Sequence, residues 1–269
     1  MDIKSIDWNE AWKKARTERS RKWKDAGFWN RRAPSFAKHA SESPYATDFI
    51  RIMQPDPDWS VLDVGCGAGT LARPLARMVR QVTALDSSDV MLDILNEQCS
   101  KEGLTNINIM HTGWEDDWHN AGAIQHDVAV ASRSLIVDDL KEALDKLNSF
   151  AKKKVFVSAI VGDGPFDRRL HEIIGRQLSS GPDYIYVYNL LHQMGIAASV
   201  SFVSNKEEKT YASCEEKLNS LRWMLEDMTL EEEERLRVYL NEKMVCENGR
   251  WKMPLNREVF WAVIWWDKK

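Results

Sequence analysis

Short apolar runs alternate with longer amphipathic stretches over the first 160 residues of the chain. The runs at 61–64, 81–85, 107–110, 127–131 and 155–160 are bounded by polar or glycine-rich segments and are too short for helices. Between several of them lie stretches with apolar positions at helical spacing, at 71–79, 88–101 and 138–150. Leu140, Ala143, Leu144 and Leu147 form one such face. This alternation predicts a parallel sheet with right-handed crossovers and helices on both faces. Beyond residue 160 the pattern loosens. A Gly-Asp-Gly-Pro turn at 162–165 leads to a predicted helix near 166–179, Ser-Gly-Pro breaks it at 180–182, and a second helix runs to Gly195. A sixth strand is predicted at 199–203. Two helices follow, at 214–225 and 229–243, the second opened by a Thr229/Glu232 capping box. The run at 259–266 is apolar at every position and reads as a strand buried on both faces.

The N-terminal stretch differs. Residues 7–26 predict an amphipathic helix with an Asp7/Glu10 capping box, a stripe of Trp8, Trp12, Ala15 and Trp23, and a basic face of Lys13, Lys14, Arg16, Arg21, Lys22 and Lys24. That face reads as a solvated surface or as an attractor of anions. Gly27 is expected to end the helix, residues 28–34 to form a non-helical elbow, and Ser43-Pro44 to open the next helix.

The candidate chemistry sits at the first run. Val-Leu-Asp-Val-Gly-Cys-Gly-Ala-Gly-Thr at 61–70 is a buried strand, a sharp glycine turn and the start of a helix whose free N–H groups face the turn. A dinucleotide loop requires G-x-G-x-x-G, but Thr70 stands where the last glycine belongs, and no Gly-Lys-Ser/Thr follows to make a phosphate loop. The second strand ends in Asp86, about twenty residues past the first glycine, where a carboxylate can accept from both hydroxyls of a ribose. The ligand implied is a nucleoside without a pyrophosphate.

These residues resemble the class I S-adenosylmethionine-dependent methyltransferases. Residues 61–69 look like the family's first motif, with Asp63 at its acidic position and Gly65, Gly67 and Gly69 at its glycines. Asp-Ser-Ser-Asp-Val-Met-Leu at 86–92 is similar to the family's Asp-x-Ser-x-x-Met-Leu, which places Asp86 on the ribose, Ser87 beside it and Met91 against the adenine. The resemblance spans roughly residues 45–160. It implies S-adenosyl-L-methionine as cofactor, S-adenosyl-L-homocysteine as product, and a doubly wound seven-stranded Rossmann-like α/β sheet whose last strand inserts between the fifth and sixth. Where the family commonly has Gly-Asp-Ala after the third strand, this chain has Thr-Gly-Trp-Glu at 112–115. The adenine is then read by backbone or by Glu115, with Gly113 and Trp114 alongside. Ser132 lies at the cofactor end of the fourth strand, and Trp29 and Arg32 match a segment that folds over the cofactor in many such enzymes, Arg32 facing its carboxylate. No Asn/Asp-Pro-Pro-Tyr/Phe and no Pro-Cys follows the fourth strand, which argues against amide, nucleobase-amine and cytosine-carbon acceptors.

Arg133 reads either as an anion clamp for a substrate or as a partner of Asp138 or Asp139, and Tyr184 and His192 are further substrate-binding candidates. His111, His171, His192, Tyr184 and Tyr186 are base candidates without a spacing that favours one, so the catalytic residue stays unassigned. The domain reading is an N-terminal helical lid over 1–44 and a methyltransferase domain over 45–269, with lid insertions at about 162–198 and 204–258.

With 269 residues, net charge −4 and 43% hydrophobic residues, the chain can bury a large core and is not basic enough for a dedicated nucleic-acid binder. Four scattered cysteines without metal spacing read as reduced thiols, and no apolar run approaches a membrane span. The expectation is therefore a cytoplasmic enzyme with no membrane partner and no metal. Three functions fit: a small-molecule methyltransferase, an RNA or protein methyltransferase docking through the basic helix, or a non-catalytic cofactor-binding module. Twelve tryptophans are assigned partly to the core (Trp261, Trp265, Trp266) and partly to the lid (Trp8, Trp12, Trp23, Trp29, Trp223, Trp251).

Overall fold

The computed structural model of the protein describes residues 5–18, 26–40, 44–205, 209–254 and 257–268. Three helices come first: α1 (Trp8–Glu18), α2 (Ala26–Ala40) and α3 (Tyr45–Met53). Strands and helices then alternate as β1 (Ser60–Val64), α4 (Ala72–Ala76), β2 (Gln81–Asp86), α5 (Asp89–Glu102), β3 (Ile107–His111), β4 (His126–Ser132), α6 (Leu140–Phe150) and β5 (Ala151–Ile160). Next are α7 (Arg168–Ile173), α8 (Tyr184–Gln193) and β6 (Ser199–Asn205). An excursion holds β7 (Thr210–Tyr211), α9 (Cys214–Leu221), α10 (Leu230–Lys243), β8 (Val245–Glu247) and β9 (Arg250–Lys252), and β10 (Val259–Asp267) is the last strand.

Seven strands form one sheet in the order β3-β2-β1-β4-β5-β10-β6. Its first five are parallel, and β10 lies antiparallel between β5 and β6, with Val263 opposite Ser158 and Ser201. This is the Rossmann-like methyltransferase arrangement, last strand included. Side chains alternate between the two faces. Leu62 and Val64 of β1 join a core with Leu140, Leu144 and Leu147 of α6, Val187 and Leu191 of α8, and Trp12 of α1. Val61 faces the other way, into a core with Phe49, Leu75 and Leu95. All five β1 residues are buried, and each fully buried aliphatic side chain contributes about 1.5–3 kcal/mol. A third core stands apart from the sheet: Phe166, Leu170, Leu218, Leu221, Leu236 and Leu240 pack α7, α9 and α10 on one another.

Several expected elements differ. The elbow at 28–34 is helical, because α2 runs through both Gly27 and Pro34. Burial of Phe28 and Ala33 and packing on α5 outweigh the roughly 3 kcal/mol that an interior proline costs. Asn30 fastens the two helices: its Nδ2 donates to Asp89 Oδ1 at 2.7 Å, and its Oδ1 accepts from Ser88 Oγ at 2.5 Å. α1 is described as far as Glu18, and Arg21, Lys22, Trp23, Lys24 and the Ser43 cap lie outside the described residues. Asp7 does cap α1, accepting from the N–H groups of Asn9 and Glu10, while Glu10 pairs with Lys13. α8, the second half of the segment read as a lid insertion, packs against β5 and α1 instead. β10 is not buried throughout: Phe260 is exposed and Trp261 and Trp265 are half-buried. The three-stranded sheet β7-β9-β8 was not legible, since strands of two or three residues carry no periodicity.

Candidate active site

A cavity of about 1370 Å³ opens over the C-terminal ends of β1, β2 and β4, where ligands of open α/β sheets bind. Asp63, Asp86 and Ser132 mark those three strand ends in its wall. The glycine loop is drawn across toward β2: the N–H groups of Gly65 and Cys66 both donate to the Leu85 carbonyl, at 2.8 and 2.9 Å. Gly65 has φ +68°, and a Cβ there would stand 2.4 Å from Ser134 Cβ, so no other residue fits. Gly69 does not line the cavity. A Cβ on it would stand 2.4 Å from Leu95 Cδ1, so its task is to let α5 approach the loop. The helix after the loop is also shorter than its sequence implies. α4 has five residues, and the N–H of Ala72 turns to Asp63 rather than to the ligand space.

The two acids differ in their fastening. Asp86 accepts the Gly67 N–H on Oδ2 at 2.7 Å and the Ser88 N–H on Oδ1 at 2.9 Å, which leaves each oxygen further acceptor capacity. Burial pushes its carboxyl up, against the pull of those N–H groups and of His111. Asp63 is 2% exposed. Burial, reinforced by the charge of Asp86, raises its carboxyl to about 7, and only the Ala72 N–H opposes the shift. Its Oδ2 is buried with no hydrogen-bond partner, as is Thr70 Oγ1 in the same wall. Orphaned polar atoms of this kind cost about 1–3 kcal/mol each, a penalty relieved when a polar ligand reaches them.

Beyond β2, Ser87 and Met91 line the cavity, and Met91 packs with Ala33 of α2 and Ala68 of the loop. Gly113, Trp114 and Glu115 form the next wall. Gly113 is already committed: its N–H donates to Asp116 Oδ2 at 2.7 Å, and its carbonyl accepts from Trp118 Nε1 at 2.7 Å. Asp116 therefore holds the wall's shape, a task that one acid among Glu115, Asp116 and Asp117 does not advertise in sequence. Lys146 Nζ braces the same turn through the Trp114 carbonyl at 2.8 Å.

From the N-terminal side come Trp29 and Arg32. The Arg32 guanidinium lies 4.2 Å from the centre of the Trp223 ring, with Phe28 and Trp29 at 5.5 and 5.7 Å. Burial lowers its pKa to about 10 despite the charge of Glu226.

At the end of β4 stand Ser132, Arg133 and Ser134, all in the wall. Arg133 has φ +56°, a conformation that costs a non-glycine residue on the order of 1–3 kcal/mol. Its N–H donates to Ser158 Oγ at 2.9 Å. Tyr45 OH bridges Ser158 Oγ and Ser132 Oγ at 2.7 and 2.8 Å, and the Arg133 guanidinium lies 4.1 Å from the Tyr45 ring centre and 5.8 Å from that of Trp261. Tyr45, Ser158 and Trp261 were missed as contributors. They lie far apart in sequence and meet only because β4, β5, β10 and α3 do. Nearby, Lys13 pairs with Asp139 at 2.9 Å, and Arg16 lies 3.9 Å from Asp138.

Tyr184 and His192 do not line the cavity, because α8 packs on the sheet. Tyr184 stacks edge-on against Phe202, and His192 is exposed. The other base candidates are also elsewhere: His111 lies 3.0 Å from the Ser87 carbonyl, His171 is buried against the Asp167 carbonyl, and Tyr186 packs on Trp8. Among the described residues no group of three His, Cys, Asp or Glu is placed to hold a metal, and no helix is long and apolar enough to cross a membrane.

The profile of the methyltransferase-domain family matches residues 61–154, the span from β1 into β5. An uncharacterised protein of Haemophilus influenzae is 34% identical over 243 residues, covering 89% of this chain and 88% of that one. A ubiquinone biosynthesis O-methyltransferase of Roseobacter denitrificans is 29% identical over 134 residues, 44% of this chain and 53% of its own. Among solved structures, the YcgJ protein of Bacillus subtilis superposes with a TM-score of 0.54 at 13% identity, over 83% of this chain and 97% of that one. Sheet order, glycine loop and these likenesses agree, and the chain belongs to the class I methyltransferases, whose cofactor is S-adenosyl-L-methionine.

Proposed function

We propose that this enzyme methylates a small molecule held in the cavity together with the cofactor. The observation that carries the reading is the cavity itself. Its volume of about 1370 Å³ exceeds the roughly 300–1,000 Å³ of a single-ligand pocket, and its outer wall comes from the chain's own segments, including Trp12, Arg32, Leu170, Trp223 and Met253. The N-terminal segment with α7 and the 209–253 excursion act as the lid, and work in the cytoplasm accords with the free thiols of Cys66 and Cys99.

The residues present fit the cofactor. Asp86 would accept the ribose hydroxyls on the oxygens that already hold the loop. Met91, Trp114 and Glu115 would hold the adenine, the unpartnered oxygen of Asp63 would take the cofactor's ammonium, and Arg32 its carboxylate. When bound, the cofactor would supply an electrophilic methyl group on a sulfonium, open to in-line attack by the acceptor's lone pair with the S–CH3 bonding pair left on the departing thioether sulfur. The chain's contribution is to align the acceptor and keep water out. An acceptor that is not already deprotonated would pass its proton to a lining group such as a carboxylate.

Incubation with methyl-labelled cofactor and separate RNA, protein and metabolite fractions tests this reading. Label should enter the metabolite fraction. Transfer to RNA or protein alone would replace the reading, and tight cofactor binding with no transfer anywhere would make the protein a cofactor-binding module.

A further inference from the structure

We infer that Arg133 is the acceptor's anion clamp: the substrate carries a carboxylate or phosphate that this guanidinium grips, and the methyl group goes to another atom of the same molecule. The inference rests on the small-molecule reading above and narrows it to a chemical class.

Three observations converge on Arg133. Its φ of +56° is a conformation that arginine adopts rarely, and it falls at the end of β4 between two other wall residues, Ser132 and Ser134. Strain of this kind persists only where surrounding structure enforces it, and here the enforcement is visible. The Arg133 N–H is pinned by Ser158 Oγ, which is itself held by the buried Tyr45 hydroxyl. The side chain is then laid over the Tyr45 ring at 4.1 Å, with Trp261 at 5.8 Å. An arginine held over an aromatic ring is confined in position, and its planar fork suits bidentate recognition of an oxyanion. The position also separates it from the cofactor's own acids. Asp63 and Asp86 belong to β1 and β2, whereas Arg133 follows β4, on the side toward β5 and β10. The same cavity is also lined by Trp261, Phe166 and Met224, which suit an apolar body attached to the anion.

A glycine tolerates the strained φ, so Arg133→Gly removes the guanidinium without burdening the fold. Protein saturated with S-adenosylhomocysteine is titrated with benzoate, phenyl phosphate and uncharged benzamide. The two anions should saturate, benzamide should not, and Arg133→Gly should weaken the anions at least about tenfold while leaving its melting temperature and its affinity for S-adenosylhomocysteine unchanged. Arg133→Lys should recover part of the loss. In parallel, labelled products from the metabolite fraction should be retained on an anion exchanger, with phosphatase treatment separating phosphates from carboxylates.

Equal binding of benzamide, no binding of either anion, unaltered anion affinity in Arg133→Gly, or uncharged labelled products each overturn the proposal. So does a loss confined to S-adenosylhomocysteine affinity, which would assign Arg133 to the cofactor. If the anions bind through Arg133 but no label leaves the cofactor, the methyl-transfer reading fails and the oxyanion site stands.

Discussion

Asp63 offers the sharpest quantitative test, because its surroundings work against its charge. Its carboxyl lies at about 7 in the folded protein against an ordinary 3.8, with burial the main cause and Asp86 the second. A pKa raised on folding means that between those two values the folded state holds a proton that the unfolded state has lost. Stability therefore falls as pH rises from about 4 to about 7 and stays low above that. A shift of about three units is worth about 4 kcal/mol. Asp63→Asn keeps the acceptor for the Ala72 N–H and removes the charge. The cofactor-free variant should gain up to about 4 kcal/mol at pH 8, on the order of 10 °C in melting temperature, and nothing at pH 4. Urea denaturation of both proteins from pH 4 to 8 measures the difference directly. Cofactor binding should run the other way: affinity for S-adenosylhomocysteine should rise in the wild type as pH climbs through 7 and lose that dependence in the variant, since an ionised Asp63 is what its ammonium would meet. An Asp63→Asn variant no more stable than wild type at pH 8, or one with the wild-type pH slope, would refute the reasoning.

Five further outcomes follow, four of them from the same wall. Asp86→Asn should weaken S-adenosylhomocysteine at least about tenfold by calorimetry, since charged hydrogen bonds contribute about 1.5–3 kcal/mol each. It should also lower the melting temperature, because Asp86 holds the Gly67 and Ser88 N–H groups. In the wild type, S-adenosylhomocysteine at about one hundred times its dissociation constant should add about 2.7 kcal/mol, and NAD or ATP should add nothing in the same thermal scan. Gly65→Ala should lose both stability and cofactor binding, as its Cβ meets Ser134 at 2.4 Å, and Ser134→Gly in the same chain should restore only the steric part because φ stays at +68°. Trp12→Ala should cost about 3–5 kcal/mol by denaturant titration, since the ring is 4% exposed and its Nε1 donates to the Val137 carbonyl at 2.9 Å. Charge reversal at Lys13, which pairs with Asp139 on the surface, should leave turnover nearly unchanged in the labelled-methyl assay.

The sheet was legible because buried parallel strands leave continuous apolar runs, and the strand-end wall of the cavity because its residues cluster in two short stretches. Asp63, Gly65, Gly67, Asp86, Ser87 and Met91 all reach one wall because two consecutive strands end side by side. Gly69 misled, since a glycine that admits Leu95 looks in sequence like a glycine that admits a ligand. The helix through Pro34 was hidden for a different reason. Local propensity opposes it, and the residues that overrule propensity, Asp89 and the face of α5, are more than fifty positions away. The part of the cavity wall around Arg133 was the least legible. Tyr184 and His192 had suggestive chemistry but belong to a helix committed to the sheet, whereas Ser158 and Trp261 looked like ordinary strand residues until β5 and β10 placed them beside Arg133.

The separate core of α7, α9 and α10 has a consequence for how such an enzyme diversifies. Phe166, Leu170, Leu218, Leu221, Leu236 and Leu240 share no member with the two cores that flank the sheet. Mutational effects at sites without shared partners add nearly independently. Residues of that unit that line the cavity, Met224 and Leu221 among them, are therefore free to be exchanged without loosening the strands that seat the glycine loop. A lineage is able to retain its methyl donor and change what it methylates by drift in one small hydrophobic unit, and laboratory selection for a new acceptor should find its permissive mutations there rather than under the sheet.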